Sequence, residues 1–525
     1  MTPIPENAAV VLDVALAERP DAEALVTRRD RLTYSQLDER AARATAVLAS
    51  LGVSRGDRVA VSLANGTDVV VIFHAVMRRG AIFVGINRPL AAPEKRFILA
   101  DSEASVFVGD EEMTTQIEPL RGDLPALRHV IVANPGDETS AWSALMRSAD
   151  PLDPVAIGAH EPAGLAYTSG TTGFPKGVIH SHHNLLVPGA AVNAARRYGP
   201  DLRKADCLAL TILNMQVLST LLVAQAQGTA VVMDRVDAAG VADWLRAERP
   251  TVFNAVPTML HGLTHATDVT AADLASLREL WTGGADCPPA IRDGFEKKFG
   301  RRIYGTYGLT EAPTIVTQDP LDAMRRPGAS GVPLPHLRVE IVGRDDEPCA
   351  PGEVGEVCVS AVDEGDWAGV YTPMLGYWRN AEATAKTIRN GRLHTGDLGE
   401  LDQDGFLTIR DRTTAVILRG AANVYPAEVE RVLAAYPGVA GSSVVGIPDE
   451  RLGERVGALV EVQPGQVIDA DSLLAHCRKE LARYKVPDVI VFGEVPRNAM
   501  GKAIRPTVES TVRDHVISSS PSPDR

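Results

Sequence analysis

Cysteine is scarce in this chain, and its few cysteines are scattered. The 525 residues include five cysteines, with no CxxC pair and no cysteine–histidine cluster along the sequence. This pattern argues against a structural zinc site and for a reducing compartment. No apolar run approaches the roughly 18 residues that a membrane helix requires, and the first residues lack the basic and apolar segments of a signal peptide. We therefore expect a cytoplasmic protein with no membrane span.

A surplus of basic residues is also lacking. The net charge is −14, the acidic excess is dispersed, and no long basic run occurs. Nucleic-acid binding is therefore disfavoured, and a polyanionic ligand must be held by local hydrogen-bond donors against an unfavourable overall field. The remaining composition, 45% hydrophobic and 23% charged, is that of an ordinary globular protein. Because 525 residues are too many for one hydrophobic core, we expect at least two domains.

The most informative segment is a loop rich in glycine and hydroxyl side chains, YTSGTTGFPKG at residues 167–177. Its glycines let backbone N–H groups turn inward, its serine and threonines add donors, and Lys176 lies near its end. This combination suits a polyphosphate, and the apolar residues before it predict a buried strand at Gly164–Thr168. The spacing differs from the Walker pattern, because Gly177 follows the lysine. The alternative interpretation is a flexible surface loop.

Strand and helix signals alternate along most of the chain. The sequence predicts a helix from Tyr34 to Leu51, a strand at Asp57–Leu63 and a helix at Val69–Arg79. This alternation continues to about residue 410 and predicts parallel sheets covered by helices. A smaller α+β module follows, with a helix at Ala427–Ala435, strands at Ser442–Val445 and Gly457–Val462, and a helix at Ala470–Tyr484. We expect an α/β fold with a large N-terminal domain of parallel-rich sheets flanked by helices and a small mobile α+β C-terminal domain.

Further motifs place charged or hydroxyl side chains beside glycines. They are YGTYGLTE at residues 304–311, HTGDLG at 394–399 and PRNAMGK at 496–502. Thr310 and Glu311 together can hold Mg²⁺ and contact a phosphate oxygen. Asp397 can accept both hydroxyls of a ribose, and Lys502 can stabilise charge on a phosphoryl group. Upstream, TGGA at residues 282–285 has no bulky side chain, so a flat base can lie against its backbone. Each motif taken alone also fits an ordinary turn or surface loop.

Together and in this order, the motifs resemble those of the adenylate-forming superfamily, and the resemblance spans nearly the whole chain. That superfamily includes acyl-CoA synthetases, the adenylation domains of nonribosomal peptide synthetases and the beetle luciferases. The resemblance implies that Lys502, Thr310 and Glu311 are catalytic, with Glu311 as the metal ligand. It also implies that ATP and AMP are bound by Thr168, Ser169, Gly170, Thr171, Thr172, Gly173, Lys176, Gly283, Gly284, Ala285, Tyr307, Asp397 and Arg412. In this set, Tyr307 would stack on adenine.

The resemblance further implies a reaction in two halves. A carboxylate attacks the α-phosphate of ATP, with Mg²⁺ as cofactor, to give acyl-AMP and pyrophosphate. A thiol, CoA in the first place, then displaces AMP and forms a thioester after the small domain has rotated. The implied activity is that of an acyl-CoA synthetase, an ATP-dependent acid–thiol ligase. The expected divisions are an adenylate-forming domain at residues 1–411, a lid domain at 412–517 and a disordered tail at 518–525.

The chain departs from the family pattern at three places. Asn214 stands in the acyl pocket where the family usually has histidine and amino-acid-activating relatives have an aspartate nearby, so we expect an apolar, non-amino acid. Thr414 and Ala415 stand where acidic or lysine hinge residues are common, and Ala421 replaces a glycine beside the pantetheine route. The acyl-pocket candidates are Asn214, Met215, Asn254, Val256 and Thr306, and the candidates for the CoA channel and hinge are Thr414, Gly420, Ala421 and Asn423.

These departures leave other functions open. One is a ligase that loads an acyl carrier protein instead of CoA. Another is a split-function enzyme that performs one half-reaction, such as the conversion of preformed acyl-AMP to acyl-CoA. A luciferase-like oxidative enzyme has no specific support, and a catalytically silent binder is disfavoured because Lys502 and Glu311 are present. The sequence predicts neither the acid itself nor the oligomeric state.

Overall fold

The computed structural model describes residues 4–169, 175–283, 287, 289–322, 325–326, 328–343, 346–412, 417–420, 422–496, 503 and 505–519. The chain divides into two compact units. The larger unit comprises Met1–Arg88, Arg96–Tyr167 and Gly177–Asp411, and the smaller unit comprises Pro89–Lys95, Thr168–Lys176 and Arg412–Arg525. Within the described ranges, no helix is both long enough and apolar enough to cross a membrane.

The strands follow one another along the described chain as short segments. In order they are β1 Glu23–Val26, β2 Arg31–Thr33, β3 Arg58–Ser62, β4 Ile82–Gly85, β5 Val106–Gly109, β6 His129–Val132, β7 Pro162–Ser169, β8 Pro175–Ser181, β9 Arg203–Asp206, β10 Thr229–Val232, β11 Val252–Ala255, β12 Glu279–Thr282, β13 Ile303–Leu309, β14 Thr314–Gln318, β15 Val332–Pro333, β16 Leu337–Val342, β17 Gly355–Ala361, β18 Gly376–Tyr377, β19 Ile388–Arg389, β20 Arg392–Leu401, β21 Leu407–Arg412, β22 Ile417–Arg419, β23 Ala422–Val424, β24 Val439–Asp449, β25 Gly453–Val462 and β26 Val489–Phe492.

The helices connect these strands. In order they are α1 Asp13–Glu18, α2 Tyr34–Ser50, α3 Thr67–Arg78, α4 Ala92–Ser102, α5 Glu111–Ile117, α6 Ala141–Ser148, α7 His182–Arg196, α8 Leu213–Met215, α9 Leu222–Gln225, α10 Ala238–Glu248, α11 Pro257–His265, α12 Pro289–Phe299, α13 Ala381–Thr387, α14 Pro426–Ala434, α15 Ala470–Glu480 and α16 Arg505–Ser519. A π-helix at Gln216–Leu221 joins α8 to α9, and short 3₁₀ turns lie at Ala8–Val10 and Glu118–Asp123.

Local sequence signals account for the first elements. α2 begins with a capping box, in which Thr33 Oγ1 accepts the Gln36 N–H and Gln36 Oε1 accepts the Thr33 N–H. The strand β3 is apolar between two polar ends, and α3 buries nearly all of its residues. The helices predicted near residues 34–51 and 69–79 and the strand between them are therefore confirmed.

Two sheets of the larger unit are mostly parallel. Over the described residues, the first sheet has nine strands in the order β15-β14-β13-β12-β11-β9-β10-β1-β2, and the second has seven in the order β18-β8-β7-β4-β3-β5-β6. The strands from β13 to β1 in the first order, and from β7 to β6 in the second, pair in parallel. One apolar cluster joins Val61 and Phe83 of the second sheet to Leu25 and Val232 of the first. The expected parallel-rich α/β fold is confirmed.

The third sheet corrects one expectation. Its order is β16-β17-β20-β19, with β21 on β20, and its β16–β17, β17–β20 and β19–β20 pairings are antiparallel. The predicted strand–helix alternation up to about residue 410 is therefore wrong for this stretch. Between β14 and β21 the described residues contain one helix, α13. Short connections can join antiparallel neighbours, whereas parallel neighbours need a long crossover.

The smaller unit has its own sheet and core. Its sheet runs β23-β22-β25-β24, with β26 on β25, and α14 and α15 contribute Val429, Leu433 and Leu473 to the apolar cluster on it. The predicted elements are confirmed, except that the helix expected to reach Tyr484 ends at Glu480. The helical ladder stops there because the Ala482 N–H donates to Glu94 Oε2 at 2.8 Å.

A buried ion triad also belongs to the smaller unit. Lys485 Nζ lies 2.6 Å from Glu94 Oε1 and 2.7 Å from Glu428 Oε1, and all three residues are buried. Burial raises the pKa of Glu428, Glu94 raises that pKa further, and Lys485 opposes both effects. The pairing stabilises charges that burial alone would disfavour strongly.

Candidate active site

Two strands of the second sheet flank the glycine-rich loop. β7 carries Thr168 and ends at Ser169, and β8 begins with Pro175 and Lys176. The Tyr167 hydroxyl donates to Asp101 Oδ2 at 2.6 Å, and burial together with that carboxylate raises the tyrosine pKa. The remaining predicted phosphate-binding residues of this loop, Gly170, Thr171, Thr172 and Gly173, lie outside the described residues.

The first residues of β8 are held tightly by a neighbouring strand. The Trp378 N–H donates to the Gly177 carbonyl at 2.6 Å, and β18 pairs with β8 through Gly376–Ile179 and Tyr377–Val178. A Cβ atom at residue 177 would lie 2.8 Å from Leu165 Cδ1 and 3.2 Å from Trp378 Cβ. A side chain at this position would force Leu165 to shift, so close packing favours glycine here.

The second motif occupies β13 and the turn that follows it. β13 pairs antiparallel with β14, and Thr310 and Glu311 lie in the turn between them. A Cβ atom at Gly283, after β12, would lie 2.1 Å from Thr306 Oγ1, so the absent side chain there allows β12 and β13 to approach. The neighbouring Gly284 and Ala285 lie outside the described residues.

The structure brings the second and third motifs together, although they are 90 residues apart. The Tyr307 hydroxyl donates to Asp397 Oδ2 at 2.7 Å, and Asp397 is buried. The Asp397 N–H donates to Thr395 Oγ1 at 3.1 Å, and the Thr395 hydroxyl donates to the Val357 carbonyl at 2.7 Å. The aromatic and carboxylate side chains that the sequence singled out for adenine and ribose therefore lie side by side, with Tyr307 on β13 of the first sheet and Asp397 on β20 of the third.

A glutamate that the sequence did not single out supports this arrangement. Glu356 Oε1 accepts the Gly396 N–H at 3.1 Å, and Glu356 Oε2 lies 2.9 Å from His394 Nδ1. Cys358 Sγ lies 3.3 Å from the same nitrogen, because Cys358 and His394 are opposite each other on β17 and β20. Burial, with Glu356, raises the pKa of the Cys358 thiol to about 12. Glu356, Cys358 and His394 thus form a hydrogen-bonded cluster that supports the backbone beside Asp397. Nothing in the sequence indicated that a cysteine and a histidine lie close together.

Two side chains outside the motif hold Thr310 and Glu311. The Tyr377 hydroxyl donates to Glu311 Oε1 at 2.9 Å, and His180 Nε2 lies 2.8 Å from the Thr310 carbonyl. Burial lowers the pKa of His180 to about 4, so the neutral ring donates its Nε2–H to that carbonyl. Neither residue had a signal in the sequence, because both lie in other segments of the chain.

The acyl-pocket candidates follow the carboxyl ends of neighbouring parallel strands. Asn214 and Met215 lie in α8 after β9, and Asn254 and Val256 end β11 or follow it. Thr306 lies on β13, where its hydroxyl donates to the Thr282 carbonyl at 3.2 Å. Carboxyl ends of parallel strands are where α/β proteins bind ligands. Met215 and Val256 are buried, Asn214 is half-buried, and among the described residues the Asn214 amide has no hydrogen-bond partner.

A buried charged pair lies behind Asn254, and the sequence analysis missed it. Lys204 and Asp206 form an ion pair on β9, and both are almost fully buried. Burial raises the pKa of Asp206, while Lys204, Ser219 and Asn254 oppose that shift. Lys204 Nζ also lies 5.2 Å from the centre of the Trp281 ring. The sequence signal that could have predicted this ion pair is the presence of Lys204 and Asp206 within one short strand.

The predicted hinge and CoA-channel residues are only partly described. Gly420 donates its N–H to the Leu452 carbonyl at 2.6 Å, and Asn423 belongs to β23. Arg412 ends β21. Thr414, Ala421 and Lys502 lie outside the described residues.

Comparison with known proteins finds matches over most of the chain. Residues 12–378 match the family described as AMP-binding enzyme, and residues 428–502 match its C-terminal domain. The feruloyl-CoA synthase of an Amycolatopsis species is 35% identical over 93% of this chain and 95% of its own. The fatty acid–[acyl-carrier-protein] ligase ScoC of Streptomyces coeruleorubidus is 34% identical over 93% and 92%. The structure of the amide bond synthetase McbA of Marinactinospora thermotolerans has a TM-score of 0.84 and 28% identity over 96% and 99%.

Proposed function

The chain belongs to the AMP-binding enzyme family, within the adenylate-forming superfamily, and on that premise we propose that it converts an apolar, non-amino carboxylic acid, ATP and CoA to acyl-CoA, AMP and pyrophosphate. It is an ATP-dependent acid–thiol ligase. The observation that carries the proposal is the hydrogen bond from the Tyr307 hydroxyl to the Asp397 carboxylate. It brings an aromatic ring and a carboxylate together, and the ring lies three residues before Thr310.

Each part of the nucleotide has a proposed partner. Tyr307 stacks on adenine beside the backbone that follows Gly283, and Asp397 binds the ribose hydroxyls with help from Arg412. The triphosphate is proposed to bind Thr168, Ser169, Gly170, Thr171, Thr172, Gly173 and Lys176. Support comes from the chemistry of the groups, because a buried carboxylate suits two hydroxyl donors and a glycine-rich loop suits phosphate oxygens.

The donor set of the second motif suits Mg²⁺. Tyr377 anchors Glu311 Oε1, and among the described residues no hydrogen bond or ion pair engages the other carboxylate oxygen. Carboxylate and hydroxyl oxygens are the ligands that Mg²⁺ accepts alongside substrate phosphates. Glu311 would hold the cation and Thr310 a phosphate oxygen, and the bound cation supplies positive charge against the phosphates.

The proposed reaction balances in two steps. In the first, an oxygen of the acid forms a bond to the α-phosphorus, and the bond from that phosphorus to the oxygen of the leaving pyrophosphate breaks. In the second, the CoA sulfur forms a bond to the acyl carbon, the bond from that carbon to the AMP oxygen breaks, and the thiol proton is lost to solvent. Lys502 is proposed to offset charge in the first step. Rotation of residues 412–517 against residues 1–411 would separate the two steps.

The acid is proposed to be apolar because its candidate pocket offers no charge. Asn214, Met215, Asn254, Val256 and Thr306 are uncharged, and Asn254 is engaged with Asp206. An ammonium group on the substrate would therefore meet no carboxylate from these residues, and such a group is costly to bury without one. Fatty and aromatic acids both fit, in line with the acids named for the two relatives.

Two different acceptors are named for the relatives. CoA is named for the feruloyl relative, but a carrier protein is named for ScoC. A carrier-protein ligase is therefore the second candidate function, and an enzyme that performs only the second half-reaction is the third. Because the five cysteines are free, we assign the enzyme to a reducing, cytoplasmic compartment.

A panel of carboxylic acids tests the proposal. Each acid is incubated with ATP, Mg²⁺ and CoA, and AMP and acyl-CoA are followed separately by mass. Formation of both products, lost in Lys502→Ala, supports the full ligase. AMP without acyl-CoA indicates another acceptor, and conversion of synthetic acyl-AMP without any ATP use indicates a second-half enzyme.

A further inference from the structure

Two side chains outside every recognised motif reach the proposed metal site. Tyr377 contacts the carboxylate of Glu311, and His180 contacts the carbonyl of Thr310, the preceding residue. The three segments involved lie far apart in sequence, so these contacts are created by the fold. A turn between two strands can form without side-chain contacts from other segments, so the contacts from Tyr377 and His180 call for a separate explanation.

The contact from Tyr377 fixes one oxygen of Glu311. The phenol donates to Oε1 at 2.9 Å, and Tyr377 itself is held because its N–H donates to Thr384 Oγ1 at 2.9 Å. The Met374 N–H also donates to the Glu311 carbonyl at 3.0 Å. Both the backbone and the carboxylate of Glu311 are thus attached to the segment 374–377. A carboxylate with one oxygen anchored presents the other in a single direction.

The contact from His180 fixes the backbone of Thr310. His180 is 1% exposed, and its Nε2–H donates to the Thr310 carbonyl at 2.8 Å. The hydrogen bond holds the carbonyl group of the residue that directly precedes Glu311.

The two contacts originate from two paired strands. β8 carries Lys176 near its start and His180 near its end, and it pairs directly with β18, which carries Tyr377. The strand that leaves the glycine-rich loop therefore sets the position of the Thr310–Glu311 turn from two sides. We call β8 and β18 together the bracket.

We propose that Tyr377 and His180 are positioning residues that the bracket uses to aim Glu311 at the metal bound with the triphosphate. This inference rests on the proposed function of Glu311. Hydrogen-bond partners of metal-binding carboxylates typically change metal affinity or activity ten- to a hundredfold, roughly, when they are removed. In this proposal, β8 and β18 hold the Thr310–Glu311 turn through His180 and Tyr377.

Metal binding by Tyr377→Phe gives the direct test. Mn²⁺ is titrated, with electron paramagnetic resonance detection, into the full-length protein in the presence of the non-cleavable analogue α,β-methylene-ATP. We expect the Mn²⁺ dissociation constant to rise about tenfold or more in Tyr377→Phe. Conversion of synthetic acyl-AMP to acyl-CoA, which needs no triphosphate, should stay at the wild-type rate.

Tyr371→Phe is the matched control. Tyr371 is six residues away and equally aromatic, but it is buried and its hydroxyl has no hydrogen-bond partner among the described residues. Its substitution should leave the Mn²⁺ constant unchanged. Equal Mn²⁺ constants for wild type, Tyr377→Phe and Tyr371→Phe would overturn the inference.

His180 offers a rescue experiment. His180→Gln retains an N–H donor of similar reach, whereas His180→Leu removes it. We expect weaker Mn²⁺ binding in the leucine variant and recovery in the glutamine variant. His183→Leu, which removes a histidine contact to the Val370 carbonyl instead, controls for the loss of a buried ring. A glutamine variant as weak as the leucine variant would contradict a positioning role for the donor.

Glu311→Gln separates this inference from the proposed function. If Glu311→Gln binds Mn²⁺ as wild type does, then Glu311 is not a metal ligand and the proposed function loses its metal site. If Glu311→Gln weakens Mn²⁺ binding and Tyr377→Phe does not, the proposed metal site is supported and the positioning role of Tyr377 is refuted.

Discussion

The nucleotide end and the acid end of the candidate site are built differently. At the nucleotide end, Tyr307, Asp397 and Glu311 each take part in a side-chain hydrogen bond at 2.7 to 2.9 Å. At the acid end, Asn214 has no partner among the described residues, and Met215 and Val256 are apolar. In the proposed assignment, directional contacts therefore fix the geometry of the shared cosubstrate, whereas the shape of the pocket selects the acid.

The layer beneath each end differs as well. Glu356 and His394 support Asp397 through hydrogen bonds on β17 and β20, whereas a buried ion pair, Lys204 with Asp206, lies under Asn254. The first support contacts Gly396, the residue before Asp397, so it can tune the proposed nucleotide binding. The second lies within a buried strand, so we assign it to stability.

The largest effect is expected from breaking the buried pair under the acid end. Lys204→Met leaves the Asp206 carboxylate buried without its cation and should lower the free energy of unfolding by about 3–5 kcal/mol. Chemical denaturation measures this change. The double variant Lys204→Met/Asp206→Leu should recover most of it, and Arg28→Met, which breaks an exposed pair with Asp234, should cost far less. A double variant as unstable as the single one would refute the electrostatic explanation.

Glu311→Gln should have the next largest effect, a loss of acyl-AMP formation at the nucleotide end. Loss of the metal-binding charge is expected to lower the rate of acyl-AMP formation by roughly 10²–10³-fold, as for the removal of other electrostatic stabilisers of a transition state. Pyrophosphate release measures this half-reaction. The conversion of synthetic acyl-AMP to thioester should be nearly unaffected. Equal losses in both half-reactions would show that the variant damages the fold instead.

Asp397→Asn should weaken ATP binding by a smaller factor. The amide keeps the shape of the side chain but loses the charge that accepts hydroxyl donors, which is worth about 1.5–3 kcal/mol for a charged hydrogen bond. We expect the KM for ATP to rise while the KM for the acid stays constant. Tyr307→Phe, which keeps the ring and removes the hydroxyl that donates to Asp397 Oδ2, provides the milder control. An equal rise in the KM for ATP and the KM for the acid would contradict the assignment of Asp397 to the nucleotide end alone.

Asn214→Leu should produce the most selective change, one confined to the preference among acids. A larger apolar side chain in a hydrophobic pocket is expected to alter kcat/KM among acids by roughly 10–200-fold at most, with the KM for ATP unchanged. The acid panel measures this shift in preference. If Asn214→Leu changes the KM for ATP as strongly as the preference among acids, Asn214 does not belong to the acid end.

Much of the fold and the family was predictable because their signals are local. The capping box at Thr33–Gln36, the apolar strand at β3 and the YGTYGLTE motif each depend on neighbouring residues alone. The antiparallel third sheet was not predicted, since a short strand carries no mark of its partner's direction. The end of α15 was missed for the same reason, because it depends on Glu94, far away in sequence.

The sequence predicted several residues of the candidate site, but it did not predict the hydrogen bonds between them. Tyr307 and Asp397 could each be named from a motif, but their hydrogen bond depends on how two different sheets bring β13 and β20 together. His180 and Tyr377 follow no pattern that periodicity or composition detects, because their roles are set by the pairing of β8 with β18. Lys204 and Asp206 were detectable in principle, since two charges in a buried strand must be paired.

The central claim is that the nucleotide end activates a carboxylic acid with ATP. Acid-dependent exchange of labelled pyrophosphate into ATP, measured with Mg²⁺ and without any thiol, tests it most directly. We predict exchange that requires an apolar acid, does not require CoA, and is lost in Glu311→Gln and Lys502→Ala. Absence of exchange with every acid, in a protein that still converts synthetic acyl-AMP to acyl-CoA, would contradict the claim.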